Sequence, residues 1–429
     1  MSFDVAAVRA QFPALTGPGE ARLFFDNPGG TQVPRRVLER MTDYLVRCNA
    51  NHAGAFQTSV DSDRILDAAH AAMADLLHSR PDEIVFGANM TTLTFAVSRA
   101  LGRLLQPGDE IVVTRLDHDA NIAPWLLLAE DRGAVIRWVD VHEADCTLKM
   151  SDLEALIGPR TKIVAVGYAS NAVGTINDVA AIVKRAHGVG ALVYVDAVQY
   201  APHGVIDVRA LDCDFLVCSA YKFFGPHAGI LYGKFELLDR LRAYKVRPAT
   251  DRPPGKWETG TQNHEGLAGV LGAVEYLEWL GQVADGGGPT AGAFSDLQSV
   301  SLQNSPARRK HLVRGLTALA DYERELGAYL IEGLQTIRGL RLYGITDPAR
   351  YAWRVPTVAF TLDGWPPRKV AEQLAEHQIF VWDGNYYALA IAERLGVQER
   401  GGMVRVGLAH YNTRQEVERL IQALAALAQ

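Results

Sequence analysis

Cysteine is scarce in this sequence, with 4 residues among 429. Cys48, Cys146, Cys213 and Cys218 form no Cys-x-x-Cys pair and no pattern typical of a disulfide framework. Their scarcity favours a reducing, cytoplasmic location. Long apolar runs are also missing, since none reaches about 18 residues, so we expect no transmembrane helix. The first residues lack the apolar core of a signal peptide.

A strong excess of basic charge is absent as well. The formal net charge is -6, whereas a protein that binds nucleic acid needs a strongly basic surface. We therefore predict no nucleic-acid partner and no membrane partner, and the sequence predicts no metal site. The chain is too long for one compact core, which indicates two domains or a large domain with a smaller companion.

Short apolar segments alternate with helical patterns through the first two thirds of the chain. Most of them are rich in Val and Ile without strict alternation, which is typical of strands covered on both faces. Strands that alternate with helices predict an α/β fold with a mostly parallel sheet. The predicted strands are 83–86, 110–114, 135–139, 161–168, 192–196, 215–219 and 230–232, and a helix is predicted over 172–187.

One segment has a different composition. Residues 281–306 contain three consecutive glycines followed by Pro289, together with several Ser, Thr and Gln residues, a pattern typical of a loop or domain junction. Helical patterns and a smaller α/β region follow it. We therefore predict a large domain over 22–280 and a small domain formed by 1–21 and 307–429.

Two charged residues follow buried strand candidates. Asp196 ends the strand 192–196, and open α/β sheets bind ligands at strand ends, although the residue also suits a helix cap. Lys222 comes three residues after the strand 215–219, among aromatic residues. Burial lowers the pKa of a lysine and makes it a Schiff-base nucleophile. Ser219 and Lys222 also fit a serine nucleophile with a lysine base, but that pair is expected on a helix.

The combination of these residues resembles a known family. Asp196-x-x-Gln199 followed by Ser219-x-x-Lys222 resembles the core of the fold-type I enzymes that use pyridoxal 5′-phosphate (PLP), specifically the class V aminotransferase and cysteine desulfurase group. Further similar segments occur in the same order over most of the chain: 24–27, 86–92, 117–125, 168–174, 259–263 and 404–412. The resemblance implies a large domain with a mostly parallel seven-stranded sheet, a smaller C-terminal α/β domain, and PLP as the cofactor.

The resemblance also implies roles for individual residues. Lys222 carries PLP as a Schiff base and moves the Cα proton, Asp196 keeps the pyridine nitrogen protonated, and His118 stacks on the ring as a second catalytic residue. Further cofactor contacts are implied for Met90, Thr91, Asn171, Gln199, Ser219 and Tyr221, and for Thr261 across a homodimer interface with a shared active site. Substrate contacts are implied for Arg405, Asn171, His52 and Tyr387. Two alternatives stay open, namely that His118 is an ordinary buried aromatic residue and that Arg405 is a surface arginine in an edge strand.

The sequence departs from the desulfurases in one loop. Tyr387 stands where that branch has its nucleophilic cysteine, and no cysteine follows Cys218. A phenol with a pKa of about 10 does not accept sulfur as a persulfide. We therefore expect a lyase that eliminates the β-substituent of an amino acid by C–S cleavage, without an enzyme persulfide. The alternatives are a class V aminotransferase or epimerase, and a non-catalytic PLP-fold binding protein.

Overall fold

A mixed sheet of seven strands forms the centre of the molecule. The computed structural model describes residues 3–17, 22–284 and 300–429. In spatial order the strands are Ile84–Gly87, Gly229–Gly233, Phe215–Ser219, Leu192–Asp196, Thr161–Gly167, Glu110–Thr114 and Val135–Val139. Only Gly229–Gly233 runs against its two neighbours. The predicted α/β fold with a mostly parallel seven-stranded sheet is confirmed.

The central sheet is buried on both faces, which explains the apolar composition of its strands. Along Thr161–Gly167, Val164 and Val166 pack into one apolar cluster, whereas Ile163 and Ala165 pack into a second. This alternation follows from the period of two in a strand. The α-helices of the described chain are Val5–Arg9, Pro13–Thr16, Arg35–Arg47, Gln57–Leu77, Met90–Gly102, Ala123–Arg132, Met150–Leu156, Val179–His187, Val208–Leu211, Phe235–Arg240, His264–Ala284, Pro306–Gln335, Pro367–Glu376, Leu389–Arg394 and Arg414–Leu427. No helix in these ranges is long and apolar enough to cross a membrane.

A second, antiparallel sheet lies in the C-terminal part of the chain. Its strands, in spatial order, are Leu340–Tyr343, Thr357–Leu362, Met403–Gly407 and Trp382–Gly384. Leu23–Phe24 pairs with Ile379–Phe380, and Val141–His142 pairs with Thr147–Leu148. The segment that follows residue 22 therefore packs with the C-terminal region, in the apolar cluster that contains Leu23 and Phe25. The division into 22–280 and 1–21 with 307–429 otherwise stays a prediction.

Two sequence-based boundaries differ from the structure by more than one residue. The helix predicted over 172–187 begins at Val179, because the Asp178 side chain accepts a hydrogen bond from the Ala181 N–H at 3.0 Å and caps it. The residues before it form a turn in which Gly174 has a φ of 81°. The segment 281–306 begins as helix, since His264–Ala284 continues through residue 284. Its glycine-rich part lies outside the described residues.

Candidate active site

The carboxyl ends of the parallel strands meet at one edge of the central sheet. Asp196, Ser219 and Gly167 are the last residues of three adjacent strands, and ligands bind at this edge in open α/β folds. A cavity of about 420 Å³ opens there. Ten of the residues predicted from the sequence line it: Met90, Thr91, His118, Asn171, Asp196, Gln199, Tyr221, Lys222, Tyr387 and Arg405.

Lys222 lies on the short turn Ala220–Lys222 that follows the strand Phe215–Ser219. The lysine is buried, and its Nζ donates a hydrogen bond to the carbonyl oxygen of Pro28. Burial and, to a smaller extent, the positive charge of Arg405 lower its pKa, Asp196 opposes both, and the resulting pKa is about 7. A large share of the amine is therefore unprotonated near neutral pH, as a Schiff-base nucleophile requires.

Two buried carboxyl groups line the same cavity as the lysine. Asp196 accepts a hydrogen bond from the Val198 N–H at 2.9 Å, and burial raises its pKa to about 6. Asp117 accepts hydrogen bonds from the Thr114 hydroxyl and from Asn121 Nδ2, and burial raises its pKa to about 7. Asp117 lines the cavity although it was not predicted as a site residue. Its only signal in the sequence is its position directly before His118.

His118 presents a neutral ring to the cavity. Its Nδ1 accepts a hydrogen bond from the Ala120 N–H at 3.0 Å. Burial and the positive charges of Lys222 and Arg405 lower its pKa to about 4. The ring stacks on Tyr387, with 5.7 Å between the ring centroids. His118 is thus a cavity residue, and its stacking on the cofactor ring stays a prediction.

Arg405 is held inside the molecule and not at its surface. Its strand lies between two others in the C-terminal sheet, and the residue is only 4% exposed, so the surface-arginine alternative is wrong. One guanidinium nitrogen donates to the Asn171 carbonyl at 2.9 Å, and the group lies 4.3 Å from the centroid of the Tyr386 ring. Burial lowers the pKa of Arg405 to about 10, which leaves it positively charged at neutral pH.

The start of the helix Met90–Gly102 forms one end of the cavity. The first N–H groups of a helix have no partner inside the helix and bind phosphate well. Ser219 does not line the cavity but lies opposite Gly229 in the neighbouring strand. A Cβ atom at Gly229 would overlap the carbonyl carbon of Asn89, so this glycine lets the strand approach the start of the helix closely.

Several buried polar atoms at this site lack a partner. Asn171 Oδ1, Gln199 Oε1 and Ser219 Oγ make no hydrogen bond within the described ranges, whereas buried polar groups are normally paired. PLP has a pyridine nitrogen, a ring hydroxyl and a phosphate. The carboxyl group of Asp196 suits the pyridine nitrogen, and the free polar atoms of Asn171 and Gln199 suit the ring hydroxyl. Ser219 and the helix start suit the phosphate. The residues present therefore fit the cofactor.

Two predicted residues lie elsewhere in the same chain. His52 and Thr261 are exposed and line a separate cavity of about 810 Å³. Neither lines the cavity that contains Lys222.

Sequence reasoning also missed residues that complete the site. Pro28 and Gly29 line the cavity that contains Lys222. They belong to the short turn Asn27–Gly29, and no spacing in the sequence connects that turn with Lys222. Long-range contacts alone bring them to the cavity. Trp382, from the loop that also contains Tyr387, lines it as well.

Comparisons with known proteins identify the family of this chain. The family model for aminotransferase class-V matches residues 23–285 and 310–420. The chain belongs to the class V aminotransferase family. It is therefore a PLP-dependent enzyme of fold type I, and the predictions of family, cofactor and enzyme are confirmed.

Relatives of this class V enzyme carry different names. The chain is 34% identical to an aminotransferase-like protein of Gibberella zeae, over 99% of this chain and 98% of the relative. It is 31% identical to a cysteine desulfurase of Serratia proteamaculans, with the same coverage. Among solved structures, a cysteine desulfurase from Thermococcus onnurineus superposes with a TM-score of 0.85 at 27% identity, over 100% of this chain and 98% of the other.

Proposed function

We propose that this enzyme eliminates the β-substituent of an amino acid by C–S cleavage, after Lys222 removes the Cα proton, and that no enzyme persulfide forms. The observation that carries the proposal is the content of the cavity. A lysine of lowered pKa and a buried arginine line the same cavity. None of the four cysteines lines it. The relatives named as cysteine desulfurases support chemistry at an amino acid that contains sulfur.

The residues divide the work between binding and proton transfer. Bound PLP supplies an electron sink that makes the Cα proton of an amino acid acidic. Arg405 grips the α-carboxylate through its guanidinium group and so places Cα near Lys222. The Lys222 amine then takes the Cα proton. Asp196 would keep the pyridine nitrogen of bound PLP protonated, and His118, neutral at physiological pH, would contact the cofactor ring.

Persulfide chemistry needs a thiolate within reach of the substrate. Cys48, Cys146, Cys213 and Cys218 are all buried, and burial raises the pKa of each thiol, that of Cys146 to about 11. At neutral pH these thiols are therefore protonated. In addition, none of them lines the cavity. Elimination requires no thiolate, because the sulfur leaves with the product.

The test is a panel of L-cysteine, L-cystine and L-alanine with the purified enzyme loaded with PLP. We expect pyruvate and ammonium from the sulfur-containing substrates, with sulfide from L-cysteine, and no protein persulfide by mass spectrometry. Conversion of the cofactor to pyridoxamine phosphate without elimination would support an aminotransferase instead. Racemised alanine without elimination would support an epimerase.

Lys222→Ala is the negative control for this panel. It should abolish turnover and the cofactor absorbance near 410–430 nm (about the range of a protonated PLP–lysine adduct). An unchanged band in that variant would show that another residue carries the cofactor.

We also propose that two copies of the chain share each active site. The support is the separation between the cavity that contains Lys222 and the one that contains His52 and Thr261. Val246 lines the second cavity and is 62% exposed, as suits a surface covered by another copy.

The cytoplasmic location stays a prediction.

A further inference from the structure

We propose that Trp382 and Tyr387 form a subsite for an aromatic substituent on the substrate sulfur, so that the enzyme prefers S-aryl cysteine conjugates to cysteine. This inference rests on the proposed function and adds its substrate class. It is carried by the register of Trp382 with Arg405, and by the backbone features that hold both rings at the cavity.

The two rings are exposed although they line a cavity. Trp382 is 48% exposed and Tyr387 is 74% exposed, and both contribute to the cavity that contains Lys222. Large apolar side chains bury more surface than other types when a ligand covers them. Exposed aromatic rings that line a cavity are therefore typical of a binding site for an apolar group.

Trp382 is placed directly beside the carboxylate-binding residue. The strand Trp382–Gly384 is antiparallel to Met403–Gly407, with Trp382 opposite Arg405. Residues that face each other in this way lie on the same side of the sheet, with Cβ atoms roughly 4.5–5.5 Å apart. An amino acid whose carboxylate binds Arg405 therefore has the indole ring within reach of its side chain.

Local backbone features hold both rings in place. A Cβ atom at Gly29 would overlap Nε1 of Trp382, so this glycine lets the indole lie against the backbone. Tyr387 has a φ of 58°, a left-handed conformation that is unfavourable for a residue other than glycine. Its carbonyl accepts a hydrogen bond from the Asp119 N–H at 2.6 Å, and its ring stacks on His118.

The reaction of such a conjugate balances without a further reagent. In S-phenyl-L-cysteine the bond between Cβ and sulfur breaks, Cα loses its proton, and thiophenol leaves after its sulfur takes up a proton. The remaining aminoacrylate is hydrolysed by water to pyruvate and ammonium. No oxidant or reductant is consumed.

The experiment compares S-phenyl-L-cysteine with L-cysteine in the PLP-loaded enzyme. We expect kcat/KM to be at least about tenfold higher for the aryl conjugate, as contacts between aromatic rings allow. Trp382→Ala should remove most of this preference, and Trp382→Phe should retain it. Trp353→Ala is the matched control, because Trp353 is 47% exposed and does not line the cavity.

A binding measurement separates this inference from the proposed function. L-Homophenylalanine has the shape of S-phenyl-L-cysteine but no leaving group. It should bind at least about tenfold more tightly than L-alanine, as followed by the cofactor absorbance, and Trp382→Ala should abolish the difference. If that holds while no substrate yields pyruvate, the proposed function is wrong and the aromatic subsite stands.

Three outcomes would overturn the subsite. One is a wild-type enzyme with equal kcat/KM for the two substrates, and another is an unchanged preference in Trp382→Ala. The third is a preference lost equally in Trp382→Phe, since that variant keeps an aromatic ring. The cofactor absorbance of each variant checks that the site is still folded.

Discussion

The charge state of Lys222 depends on its burial and on two charged groups near it. Burial and Arg405 both disfavour the positive charge of Lys222, and Asp196 favours it, with the result that its pKa is about 7. An exposed lysine has a pKa of about 10.4. The local environment thus supplies a reactive amine at a pH where a surface lysine is almost fully protonated.

The first prediction concerns the pH dependence of cofactor capture. Only the unprotonated amine reacts with an aldehyde. The rate at which the enzyme stripped of PLP recaptures it should rise through pH about 7 and level off above that value. Stopped-flow absorbance over pH 5 to 10 (roughly two units below to three units above this pKa) measures it. A rate still rising steeply at the alkaline end would contradict the lowered pKa.

Two variants test the causes of the lowered Lys222 pKa, and the midpoint of the pH profile should shift in opposite directions in them. Arg405→Gln removes a positive charge near Lys222 and should move the midpoint to higher pH. Asp196→Asn removes a negative charge and should move it to lower pH. Shifts in the same direction in both variants would show that changes in burial, and not the charges, dominate.

At the scale of elements, the loop that includes Tyr387 stands where the resemblance places the nucleophilic cysteine of the desulfurases. Its residues 386 and 387 both have positive φ values of 57° and 58°, and Asn171 Nδ2 donates to the Tyr386 carbonyl at 2.9 Å. The loop is thus built around two tyrosines that take a left-handed backbone conformation.

The second prediction is that Tyr387→Cys does not produce a good desulfurase. Residue 387 is 74% exposed, and an exposed thiol keeps a pKa of about 8.5, so it is mostly protonated at neutral pH. We expect no more persulfide, by mass spectrometry after incubation with L-cysteine, than in a Tyr387→Ser control. Strong persulfide formation in the cysteine variant alone would refute this interpretation of the loop.

The third prediction concerns the strand Gly229–Gly233 and the helix Met90–Gly102. In Gly229→Ala the new Cβ overlaps the backbone of Asn89, which cannot rotate away as a side chain would. The helix start should shift, and the Kd for PLP should rise by about tenfold or more, which corresponds to about 1.4 kcal/mol. Titration of the PLP-free protein measures this change.

Gly158→Ala is the matched control for that variant, because a Cβ atom at Gly158 meets nothing within 4 Å. An unchanged Kd in folded Gly229→Ala would show that the helix start does not position the phosphate.

At the scale of the whole molecule, the fourth prediction uses mixed dimers. Lys222→Ala and Thr261→Ala are each expected to be impaired as homodimers. Mixing the two chains should restore activity, because one of the two sites then takes Lys222 from one chain and Thr261 from the other. The activity of the mixture after reversible dissociation and reassociation measures this.

Lys222→Ala mixed with Arg405→Gln is the matched control. Both residues line one cavity of the same chain, so no site in that mixed dimer has both intact. Equal recovery in the two mixtures, or none in the first, would argue against a shared site.

The fold and the cofactor of this enzyme could be predicted from the sequence. Apolar segments that end in Asp196 or lead to Lys222 predict strands that bring these residues to one edge of a sheet, because parallel strands have their carboxyl ends together. The resemblance of these motifs to a known family then indicates the cofactor. Local patterns were sufficient here because each residue is positioned by the strand next to it.

Other features were decided only by the tertiary structure. Arg405 donates to the carbonyl of Asn171, which is 234 residues away in the chain, and Trp382 reaches the cavity through its register with Arg405. Only the folded chain shows that Thr261 and Lys222 line two different cavities. Contacts of this kind depend on how distant elements pack, for which no local spacing in the sequence carries a signal. The sequence therefore determined the cofactor and the lysine, and the packing of the C-terminal sheet decided what surrounds the substrate.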